Sequence, residues 1–150
     1  MDHLVCLDAG AKELENLING KKSMILRGAD IIKVPHGSVK KGDILFFIND
    51  SYEKEVKARG VVTCVFNSGK LSVEESFETI IRNQDRLQLP DRQFESLAGK
   101  RYLVLIGLDN IESIEPFRVD NASFADSDDW HPVGDINLVA MPLPAARQNS

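Results

Sequence analysis

The chain has 150 residues, 43% of them hydrophobic and 27% charged, which is enough for one compact domain with a real core and too short for two. A formal net charge of -5 and a pI near 5.2 argue against a protein that coats nucleic acid nonspecifically. No apolar run approaches the roughly 20 residues needed to cross a bilayer. Cys6 and Cys64 lie in apolar, strand-like surroundings and read as buried reduced thiols; with no signal-peptide layout at the start, this predicts an intracellular, cytoplasmic protein.

In chain order, Val5 to Leu7 predicts a short opening strand. Leu14, Leu17 and Ile18 then fall at helical spacing within 11–19, and Gly20 supplies a stop. Strands are expected at 23–26 and at 44–48, the second entered through the turn Gly42-Asp43, where Asp43 caps the turn. The β-branched run 60–66 reads as another strand. Ser72 and Glu75 have capping-box spacing, which predicts a helix to about residue 86 with Val73, Phe77, Ile80 and Ile81 on one buried face. A short helix from Pro90-Asp91 follows, with Phe94 and Leu97 inward. Two strands, 101–107 and 111–117, are expected around a turn at Asp109-Asn110. This order closes most economically as an α+β fold, a small mixed β-barrel with helices packed at its openings. The domain is expected to span 1–118. An acidic extension, 119–150, follows, with 130–139 lying back on the barrel and a frayed end.

Charge is unevenly distributed. Between residues 21 and 41, Lys21, Lys22, Arg27, Lys33, Lys40 and Lys41 face only Asp30, a local balance of +5, whereas 109–150 has a balance of -6. With a Debye length of about 8 Å, such a strip can act locally inside an acidic protein. The segment GKKSMILRG, Gly20 to Gly28, gathers cationic donors where a helix ends and a strand begins, a place suited to a phosphate or a base edge. As ordinary structure, Lys21 and Lys22 would be helix-end charges and Arg27 would brace the barrel against Asp43 or Asp30. Trp130 reads either as a stacking platform for a base or as the anchor of the tail.

Gly20, Lys22, Ser23, Arg27, Gly42 and Asp43 together resemble the ASCH and PUA-like superfamily, over roughly residues 4–117. That resemblance implies a PUA-like pseudo-barrel with a cleft near the GKKS segment and a role in binding RNA or modified nucleosides. The expected binding residues are Lys21, Lys22, Ser23, Arg27, Lys40, Lys41 and Trp130. One branch of the superfamily looks like small amidohydrolases that deacylate N4-acetylcytidine with a lysine, a threonine three positions on and a distant glutamate. Lys22 matches the lysine, but Ile25 stands at the threonine position and has no hydroxyl. The enzymatic alternative would therefore have to use Lys22, Ser23 and Glu74 or Glu75. A third alternative is a protein-interaction module using the acidic tail. Scattered histidines and an incomplete calcium-loop pattern at Asp126, Asp128 and Asp129 predict no metal site, and no cofactor is expected.

Overall fold

The computed structural model describes residues 1–49, 55–119 and 129–141. Its strands are β1 (Asp2–Cys6), β2 (Met24–Ala29), β3 (Ile44–Ile48), β4 (Glu55–Asn67), β5 (Tyr102–Val119), β6 (Trp130–Gly134) and β7 (Ala140–Met141). The helices are α1 (Glu13–Ile18), α2 (Val73–Arg82), α3 (Gln84–Leu87) and α4 (Asp91–Leu97). One sheet runs β2-β5-β4-β3-β1-β6, with β7 pairing to β5. Among the described residues only β1 and β3 pair in parallel; the other ladders are antiparallel. The result is a curled, mixed half-barrel with a few helices, in keeping with the small mixed barrel that the element order predicts.

Period-two alternation explains how this sheet buries both faces. Val5, Ile25, Leu45, Phe47, Val104 and Ile106 point to the concave side, where Leu14 and Leu17 of α1 and Trp130 of β6 complete a core. Their neighbours Leu4, Cys6, Phe46 and Ile48 point the other way, against Val56, Val119 and Ile136. On the outer face of β2 and β5, Met24, Leu26, Leu103 and Leu105 are covered by Ile80, Leu87 and Leu89 from the helical segment.

Several expectations need correction. No turn forms at Asp109-Asn110: β5 continues through it as one 18-residue strand. Asn110 instead takes a left-handed conformation (φ 51°), and β5 spends two residues, Asn110 and Ile111, opposite Gly60 alone. The bulge bends the strand without reversing it. A second bulge, at Thr63, resets the alternation of β4 between Val62 and Cys64, so Cys64 is exposed rather than buried; Cys6 is buried, and neither forms a disulfide. In α2 only Ile80 of the expected stripe is fully covered, with Ser76 beside it, while Val73, Phe77 and Ile81 are 39–61% exposed. The boundary drawn at 118 falls within β5, and β6 and β7 belong to the same sheet. Most of the acidic stretch, including Asp126 and Asp128, and the last nine residues lie outside the described residues.

Candidate functional site

The site is built where β2 meets α1 and the ends of β1 and β6. Glu13 enters in the first turn of α1, on the same side as Leu14 and Leu17, and is 1% exposed. Its Oε1 accepts the Asp8 backbone N–H at 2.9 Å, which ties the helix start to the end of β1. Lys22, 2% exposed, donates from Nζ to the Leu87 carbonyl and lies 3.7 Å from Glu13 Oε2. Burial pushes the Lys22 ammonium below its ordinary range, partly opposed by Glu13 and reinforced by Arg27.

Arg27 follows Ile25 onto the concave side, and its side chain is 13% exposed. Nη1 donates to the Leu26 carbonyl at 2.8 Å and Nη2 to the Cys6 carbonyl at 3.1 Å. Glu13 Oε1 lies 3.8 Å from Nη2, and Asp129 Oδ2 lies 3.0 Å from Nε as an ion pair. The guanidinium also stands 5.9 Å from the centroid of the Trp130 ring. Arg27 thus closes the seam between β2 and the β1/β6 side of the sheet, bracing the barrel through Glu13 and Asp129 rather than through Asp43 or Asp30. Two cations and two carboxylates balance one another there. Desolvating such a set is costly unless every member stays paired.

Beside Arg27 opens a cleft of about 220 Å³ along the edge of β2. Gly28, Ala29 and Val104 line it together with the apolar Ile31, Val34, Pro35 and Leu97, and Arg27 with Asp129 forms a polar part of the lining. Tyr102, His36 and Lys33 complete the lining. The two aromatic rings meet edge to face at 5.9 Å, and His36 Nε2 is held 2.7 Å from the Ser68 carbonyl. Ile31 and Ile32 are 67% and 62% exposed, so the loop after β2 presents apolar surface next to the opening.

The residues expected from sequence are not gathered at one rim. Lys22 is interior. Lys21 is exposed just after α1, and the Ser23 hydroxyl accepts from Arg86 Nε at 3.1 Å, next to the Leu87 carbonyl that Lys22 binds but outside the cleft lining. Lys40 and Lys41 are exposed before β3, where the Lys40 N–H donates to Asp43 Oδ2 at 2.9 Å. That is the opposite end of β1 from the Cys6 carbonyl that Arg27 binds, about 13 Å along the strand. Trp130 is 2% exposed and offers no open face for a base; it anchors β6 by donating from its indole N–H to His3 Nδ1 at 3.1 Å. His3 in turn lies 2.8 Å from Asp43 Oδ2. Burial opposes ionisation of Asp43, but hydrogen bonds from His3, the Lys40 N–H and the Met1 amine outweigh it and hold the carboxyl below its usual range.

Glu74 is exposed in the first turn of α2. That helix begins near Leu71, whose N–H donates to the Arg101 carbonyl beside Tyr102 and hence at the Ala29 end of β2, whereas Lys22 precedes the other end. Glu74 and Lys22 are therefore not brought together. The carboxylate next to Lys22 is Glu13, and at position 25 stands a fully buried isoleucine. Glu13 was missed because it looks like an ordinary first-turn glutamate, although its place four residues before Leu17, on the side that Leu17 shares, was readable. Among the described residues no cluster of three or more His, Cys, Asp or Glu side chains could hold a metal ion, and no helix is long and apolar enough to cross a membrane.

No protein-family model matches the chain, and no curated protein matches it by sequence. Solved structures do. The ASCH protein from Zymomonas mobilis superposes with a TM-score of 0.64 at 14% identity, covering 95% of this chain and 98% of that one. A single-substitution variant of the same protein gives 0.63 at 14% identity, with 92% and 96% covered. A second variant gives 0.64 at 13%, with 92% and 98%. The chain therefore has an ASCH-like fold.

Proposed function

We propose that this protein is a noncatalytic module that binds RNA or a nucleotide in the cleft beside β2. The observation that carries the reading is the cleft itself: apolar lining and an aromatic pair suited to the faces of a base, a polar part at Arg27 and Asp129, and the exposed Lys33 in its lining for the sugar–phosphate. Lys22 and Arg27 act in this reading as the brace beside that polar part, while Lys40 and Lys41 steer from a distance. The ASCH-like fold supports it through the RNA-binding role that the sequence resemblance implies.

The test is a binding titration of short single-stranded RNA against wild type, Tyr102→Leu, Lys33→Ala and the Lys40→Ala, Lys41→Ala pair. Loss of one base–aromatic contact should lower affinity by about 1–3 kcal/mol in Tyr102→Leu. Lys33→Ala should weaken binding less, and the distant pair least. Equal affinity of wild type and Tyr102→Leu would place binding elsewhere on the surface.

A further inference from the structure

We propose that Asp129 makes this cleft selective for nucleobases that present an amino group beside a ring N–H, guanine first; the inference rests on the nucleotide reading above. The Arg27–Asp129 part of the cleft is not built for an anion. The Nη groups of Arg27 donate to the Leu26 and Cys6 carbonyls, and its charge is matched by Glu13 and Asp129. A phosphate placed there would have to displace a carboxylate from the guanidinium and then face it.

A neutral hydrogen-bonding edge meets no such conflict. Asp129 lines the cleft, and its side chain is 57% exposed. Its position is fixed from two directions: its backbone carbonyl accepts the Cys6 N–H at 2.8 Å, and its Oδ2 is drawn to Arg27 Nε. An ionised carboxylate only accepts hydrogen bonds, so the group it meets must donate. Guanine offers two adjacent, parallel N–H donors that match a carboxylate as a guanidinium does. Cytosine and adenine offer one amino group next to a ring acceptor that would face the carboxylate. Uracil flanks its single N–H with two carbonyl oxygens, which the carboxylate repels. The order expected is guanine, then cytosine and adenine, then uracil.

Calorimetric titration of the full chain with GMP, IMP, CMP, AMP and UMP tests this, using wild type and Asp129→Asn, each shown by thermal melting to be folded. IMP lacks only the 2-amino group of GMP, and wild type should bind it about tenfold more weakly. Asp129→Asn should bring GMP to the level of IMP and leave UMP nearly unchanged. An Asp129→Asn protein that binds all five more tightly would show that the carboxylate merely shields Arg27, and would overturn the inference. So would wild-type affinities that are equal across the bases, a result that leaves the nucleotide cleft standing. Absence of binding by both proteins to every nucleotide and to single-stranded RNA would remove the cleft reading together with this one.

Discussion

Glu13 decides more than its place in the sequence suggests. It is the carboxylate shared by Lys22 and Arg27, and among the described residues its Oε2 has no hydrogen-bond donor, so the cluster is held by charge more than by aligned bonds. Removing one partner of a buried pair leaves the other uncompensated. Glu13→Gln should therefore destabilise the protein by about 3 kcal/mol in urea unfolding, and adding Lys22→Met should return much of that loss. The pH response has a defined sign. Because folding lowers the Lys22 pKa, the unfolded chain binds more protons between the folded value and the ordinary 10.5, so this lysine makes stability rise with pH across that window. Lys22→Met should remove the rise, and an unchanged slope would place it on another group.

Local signals read well wherever a helix end or a strand follows its own chemistry. The capping box at Ser72 is complete: the Ser72 hydroxyl accepts from the Glu75 N–H at 3.1 Å and the Glu75 carboxylate from the Ser72 N–H at 2.9 Å. Those bonds also hold the Glu75 carboxyl below its usual range. Ser72→Ala should cost about 1 kcal/mol, measured by thermal or urea unfolding, with Ser72→Gly costing less. Reading failed where tertiary pairing overrides the pattern. Asp109-Asn110 has turn composition, yet β4 pairs on both sides of it and turns it into a bulge. Cys64 has core composition, but the bulge at Thr63 swings it outward. Gly107 registers that crowding, since a Cβ there would lie 2.5 Å from Cys64 Sγ and 3.1 Å from Arg86 Nη2.

Across the whole molecule, fold class was more legible than site. Alternation and element order are properties of short segments, and they led to the curled mixed barrel. Which cations share a surface depends on how distant segments dock, and the apparent +5 strip separates into an exposed Lys21 after α1, a buried lysine, a paired arginine, a cleft-side Lys33 and a distant Lys40-Lys41 pair. Among the described residues, Arg27 and Lys33 are the cations that line the cleft. Since salt sensitivity counts phosphates neutralised, the slope of log K against log salt for RNA should be shallow, about -1 to -2, and Lys33→Ala should reduce its size by about one. A slope near -5 would mean that a larger basic surface is engaged.

The strand order of the sheet also governs when the protein can be assembled. β1 is wedged between β3 and β6, and its His3 meets Asp43 across 40 residues and Trp130 across 127. Contacts of such long sequence separation are slow to close. On the ribosome, β1 emerges well before β6 and waits roughly 6 to 26 s at ordinary elongation rates for that flank to appear. During that interval Leu4, Val5 and Cys6 have no finished sheet to enter, which leaves β1 a segment for a chaperone to hold.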